Sequence, residues 1–105
     1  MKIAYQGIAG SYSESCAKEK YPDCETISCK TFDECFEKAN EDSSVKAIIP
    51  ESNKTTGNIG VEYLIFKYRL NIYAEHFFPI NHNLLGLHES KIKDIKDIYS
   101  HAQAL

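Results

Sequence analysis

Apolar blocks and helical stripes alternate through the first half of the chain, and that alternation restricts the fold more than any other feature. Residues 2–6 are a short apolar run, and Gly7 and Gly10 bracket a turn behind it, which reads as a strand and loop. From about Ser11 or Ser13 to Tyr21 the spacing predicts a helix, with Tyr12, Cys16, Ala17 and Tyr21 on one face and Pro22-Asp23 as its stop. Residues 24–29 alternate in part and predict a second short strand. Thr31 then opens a helix. Thr31 and Glu34 have the spacing of a capping box, and Phe32, Cys35, Phe36 and Ala39 form a stripe to bury. Residues 45–49 are apolar enough for a third strand covered on both faces, closed by Pro50. The order β-α-β-α-β predicts an α/β fold with a parallel-rich sheet and right-handed crossovers.

The second half is less regular. Asn58 is placed to cap a helix carrying Ile59, Val61, Tyr63, Leu64, Ile65, Phe66 and Tyr68. Apolar residues cover most of its circumference, which predicts a helix sandwiched between layers. Lys67 and Arg69 suit its C-terminal end. Residues 71–87 then read as extended chain interrupted by Pro79, too long for one strand of a small sheet. Two strands joined near residues 79–81 are expected, in a connection that passes from one lobe to another. Ser90 is placed to cap a helix with Ile92, Ile95 and Ile98 on a stripe. Residues 98–99 lead, as a strand, into a last helix opening at Ser100.

Composition removes several function classes. The 105 residues make one domain or a piece of a larger one. The formal net charge is -3 with both signs interspersed, so nothing asks for a nucleic acid. No segment reaches the roughly eighteen apolar residues of a membrane span, and the first residues lack the apolar run of a signal peptide. Cys16, Cys24, Cys29 and Cys35 match no zinc spacing. Cys16 and Cys35 fall on apolar helix positions, as free thiols do, which points to a cytoplasmic protein; a disulfide or metal site is the competing reading.

Three polar segments stand where strands end. The turn Gly7 to Ser13 either is a plain capped β-α turn or presents free helix N–H groups to an anion or carboxylate. It lacks the third glycine of the dinucleotide fingerprint. The loop Glu51 to Gly57 offers neutral donors at Ser52, Asn53, Thr55 and Thr56 and a cation at Lys54. It follows a buried strand, at the carboxyl edge where α/β folds bind ligands, although an ordinary solvated loop has the same composition. The third is Ser100-His101-Ala102-Gln103. A helix N-terminus disfavours the imidazolium, so His101 is expected as a neutral hydrogen-bonding group. His76, His82 and His88 share a face only in an unbroken strand, which Pro79 opposes, so a metal site is not expected.

Taken together, these segments resemble prephenate dehydratase. Gly7, Gly10, Ser11, Tyr12 and Ser13 match the family's Gly-x-x-Gly-Ser/Thr-Tyr/Phe-Ser opening. Pro50, Asn53 and Gly57 match its Pro-ended strand and Ile/Val-Glu-Asn-Ser-x-x-Gly loop. Glu51, Ser52 and Lys54 depart from it, standing where the family has an aliphatic, Glu and Ser. Residues 78–85 look like its Leu-Pro-Ile-x-His-x-Leu-Leu, and residues 99–105 like its Tyr-Ser-His-Pro-Gln-Ala-Leu, with Ala102 for Pro.

The resemblance covers the whole chain and implies a lobe of the type II periplasmic-binding-protein kind at residues 1–76. A second lobe would begin at about residue 77 and be incomplete at residue 105. It implies decarboxylating dehydration of prephenate to phenylpyruvate in phenylalanine biosynthesis, with no cofactor. Ser11, Tyr12, Ser52, Asn53, Lys54 and Gly57 would lie on the substrate side of the first lobe, and Ser100, His101 and Gln103 on that of the second. The family's Thr-Arg-Phe motif, whose Thr is its catalytic candidate, would lie beyond Leu105, leaving this portion inactive alone. Unpaired second-lobe edges would favour a homo-oligomer, with strands exchanged around residues 71–87. The altered loop motivates one alternative: a two-lobe solute-binding or amino-acid-sensing module without catalysis.

Overall fold

The computed structural model of the chain describes residues 1–53, 57, 58, 60–102 and 105, with backbone alone at 52, 53, 57 and 58. Strand β1 (Lys2–Gln6) leads through the glycine turn into helix α1 (Tyr12–Lys20), then strand β2 (Glu25–Cys29), helix α2 (Phe32–Glu41) and strand β3 (Val45–Ala47). The three strands form one parallel sheet in the order β2-β1-β3. Lys2 pairs with Glu25 on one side of β1 and with Val45 on the other. The Ile48 N–H donates to the Ala4 carbonyl at 2.9 Å and carries the ladder one step past β3.

That order has a consequence. The chain leaves β1 for β2 on one side and then returns across β1 to β3 on the other. Right-handed crossovers in opposite directions put α1 and α2 on opposite faces of the sheet. The central strand is therefore covered twice: Ile3, Ala4 and Tyr5 are all buried, although they alternate between faces. Ala4 packs with Cys29, Cys35 and Val45 beneath α2.

Both helices start on the same device. The Ser11 hydroxyl accepts from the Glu14 N–H at 3.4 Å, and the Thr31 hydroxyl accepts from the Glu34 N–H at 3.1 Å. Each glutamate then reaches back beyond its cap: Glu14 accepts the Gly10 N–H at 2.6 Å, and Glu34 the Lys30 N–H at 2.7 Å. Two orphan donors are satisfied at each helix start.

Beyond β3, β4 (Ser52–Asn53) and β5 (Gly57–Asn58) pair antiparallel as a small hairpin, and helix α3 (Glu62–Tyr68) packs on α2. Phe36, Val61 and Leu64 form that second core, with the Phe36 and Tyr68 rings stacked at 5.8 Å. Asp33 fastens the pair. It accepts from the Lys67 ammonium at 2.8 Å and from the Tyr68 hydroxyl at 2.9 Å.

Five sequence expectations change here. The third strand stops at Ala47, and Ala47, Ile48 and Ile49 are only half-buried, because β3 is an edge strand. Helix α3 is not sandwiched: Tyr63 and Phe66 point outward, and only one face meets α2. Asn58 lies in β5 rather than at a cap, and Val61 caps α3 without a side-chain bond. Residues 71–87 hold no strand, and the stripe of Ile92, Ile95 and Ile98 gives only a 3-10 turn at Ile92–Asp94. A strand needs a ladder partner, and none is present for residues 71–87 among the described residues.

Candidate functional site

In a doubly wound sheet the ligand crevice opens where strand order reverses, outside the carboxyl ends of the two strands that flank the reversal. Here those strands are β1 and β3. The segments that follow them are the glycine turn and the stretch from Ile48 to the β4–β5 hairpin. The topology thus brings the first two sequence-predicted segments to one edge.

The turn is held from behind. Gly7 has φ +133°, and its N–H donates to the Cys29 carbonyl at 2.9 Å. The Ser28 hydroxyl donates to the Gly7 carbonyl, so β2 grips the turn from both sides. Glu14 closes it. One carboxylate oxygen takes the Gly10 N–H at 2.6 Å, and the other takes the Thr26 hydroxyl and the Lys18 ammonium, each at 3.0 Å. Glu14 is only 8 % exposed, the single charged residue buried among those described. The Gly10 N–H, followed by Lys18 and Thr26, holds its carboxyl below the usual carboxylate range against the opposing effect of burial. Of the two sequence readings of this turn, the capped one describes its geometry. The Gly10 donor and the Ser11 hydroxyl are engaged within the helix start, and a carboxylate already sits behind the turn. Glu14 was not among the residues singled out from sequence. Its signal was there in Ser11-x-x-Glu14, the same spacing as Thr31-x-x-Glu34.

Tyr12 faces the other way. Its hydroxyl donates to the Asn81 carbonyl, and its ring lies 6.3 Å from Phe78 and 6.0 Å, edge-on, from His82. The structure therefore brings Tyr12 to the segment that follows α3. Ser52 and Asn53 form β4 and pair through backbone with Asn58 and Gly57. Lys54 and Gln103 lie outside the described residues. Ser100 and His101 are exposed, and residues 98–99 before them form no strand.

Other chemistry is sparse. No group of His, Cys, Asp and Glu among the described residues is arranged to hold a metal, and no described helix is long and apolar enough to cross a membrane. The four thiols are free. Burial pushes those of Cys16, Cys29 and Cys35 up, away from thiolate chemistry. An open cavity of ≈ 280 Å³ lies between Met1, Lys20 and residues 21–24, at the amino edge and away from the switch point.

Comparison with known proteins falls on the same residues. The family model described as prephenate dehydratase matches residues 3–105. Arogenate dehydratase 2 of Petunia hybrida is 41% identical over all of this chain and 27% of its own length. Arogenate dehydratase/prephenate dehydratase 1, chloroplastic, of Arabidopsis thaliana shows the same 41% and 27%. A second Arabidopsis protein, arogenate dehydratase/prephenate dehydratase 2, chloroplastic, is 38% identical over 28% of its length. The chain thus spans roughly a quarter of the curated relatives it matches. No solved structure matches it. The chloroplastic relatives overturn the cytoplasmic placement read from composition. Free thiols do not identify a compartment.

Proposed function

Because the chain belongs to the prephenate dehydratase family, we propose that it supplies the first lobe, and the opening of the second, of a decarboxylating dehydratase of aromatic amino acid biosynthesis. The observation that carries this reading is the family match across residues 3–105. The substrate is prephenate, or its amino counterpart arogenate, on which the names of the relatives divide. In either, the ring carboxylate leaves as CO2, its bonding electrons become a ring double bond, and the ring hydroxyl leaves as water after taking a proton. Aromatisation drives the step, so the protein's task is to hold a carboxylate-bearing ring and assist the leaving hydroxyl.

In this reading residues 1–76 form a type II binding-protein-like lobe, and the second lobe begins at about residue 77. The β2-β1-β3 order and the switch point between β1 and β3 support that assignment. Ser52, Asn53, Lys54 and Gly57 face the substrate from the first lobe, and Ser100, His101 and Gln103 from the second. Ser11 acts through the turn it caps. No cofactor takes part. The chain also self-associates, since Phe77, Leu85, Leu87 and Tyr99 are exposed on residues 71–102.

The test is turnover of prephenate to phenylpyruvate and of arogenate to phenylalanine. It uses the 105-residue chain and the protein extended to the length of its relatives. The extended protein turns over at least one substrate and the chain alone neither. Binding of an amino or keto acid without turnover in the extended protein contradicts the reading and favours a sensing module.

A further inference from the structure

Residues 71–102 are exposed almost throughout, with one interruption: Phe78 is half-buried. The contacts around it all fall on one side of α1. Tyr12, Glu19 and Lys20 lie two turns apart on the helix, spaced to share a face. The Tyr12 hydroxyl donates to the Asn81 carbonyl, and its ring meets Phe78 and His82. The Glu19 carboxylate lies 2.6 Å from the His76 ring Nε2, and the Lys20 ammonium donates to the Glu75 carbonyl at 3.2 Å. One step earlier, the Lys46 ammonium sits 4.4 Å from the centre of the Tyr73 ring. Lys46 pairs with Ile3 in register, one residue off the Ala47–Ala4 pair beneath α2, so its side chain leaves the sheet on the α1 side. Residues 73–82 are thus laid along α1, from the edge strand β3 to the first turn of the helix.

We propose that Tyr12 is the positioning residue of a joint that seats residues 75–82 on α1 and thereby sets how the second lobe meets the first. Tyr12 suits this role because it follows the cap directly. Ser11 and Glu14 fix the first turn of α1, so the Tyr12 ring projects from the most constrained part of the helix. Its hydroxyl proton is directed to a backbone carbonyl of the segment it seats and is not free for a substrate carboxylate. The Glu19–His76 and Lys20–Glu75 contacts continue the seat along the helix and prevent the segment from pivoting about a single point. The consequence for the cleft rests on the dehydratase reading; the joint itself does not.

Backbone order parameters from ¹⁵N relaxation test the joint in the 105-residue chain. Residues 76–82 should be ordered, with values near 0.8, and should fall below about 0.6 in Tyr12→Leu, while β1 and β2 stay near 0.85. Tyr12→Phe keeps the ring contacts, loses the hydroxyl and should fall between. Unchanged order in Tyr12→Leu, or flexible residues 76–82 in the parent, overturns the joint. In the extended protein, Tyr12→Leu should raise KM for the substrate about three- to tenfold and lower kcat with it, as displaced hinge contacts do, and Tyr12→Phe should recover most of both. Unchanged KM and kcat overturn the link to the cleft. An extended parent that turns over neither substrate overturns the dehydratase reading alone, because the order parameters still decide the joint.

Discussion

Replacing Glu14 by Gln separates charge from shape at the best-connected buried residue of the glycine turn. Gln keeps a carbonyl for the Gly10 N–H but loses the charge that meets Lys18 and the second acceptor for Thr26. The folded carboxyl titrates below its usual value of 4.5, so its stabilisation is present above that value and is lost as pH falls through the folded pKa. Urea midpoints should therefore be lower for Glu14→Gln than for the parent at neutral pH and converge in acid. A gap that does not change with pH would contradict the assignment. The two glycines beside it separate in the same way. A Cβ on Gly7 would meet the Ser11 side chain at 3.3 Å and hold φ +133°, whereas one on Gly10 meets open space at φ +90°. Gly7→Ala should cost about 1–3 kcal/mol by chemical denaturation, and more than Gly10→Ala.

Among the elements, α2 was readable from sequence down to its N-cap, because a capping box and an apolar stripe agreed. Thr31→Ala should lower stability by about 1 kcal/mol. Leu64→Ala should cost about 2–5 kcal/mol by opening the α2–α3 core, since Leu64 is 1 % exposed. Helix α3 was legible as a helix but not in its surroundings. A circumference rich in Tyr63, Phe66 and Ile65 says that apolar surface exists, not which part is covered. Residues 71–87 show the limit more sharply. Their apolar, β-prone composition is a strand signal only if another strand offers a ladder, and periodicity in one segment carries no record of its partner. The joint at Tyr12 was hidden for the same reason, as a contact spanning 69 residues leaves no local pattern.

At the scale of the whole molecule, a close-packed α/β half carries an exposed, apolar second half, and the shape is correspondingly long at 51 × 29 × 22 Å. Sedimentation should show dimers or larger species that dissociate on dilution; a monomer at high concentration would contradict self-association. The parallel sheet was legible from the alternation of blocks, but its strand order was not. That order is what places the switch point between β1 and β3. Amide shift mapping of the extended protein with prephenate tests this location most directly. Shifts should cluster at residues 7–12, 52–57 and 100–103, with residues 21–24 at the amino edge silent. Shifts confined to the amino edge, or none at saturating prephenate, would contradict a substrate site at the carboxyl edge.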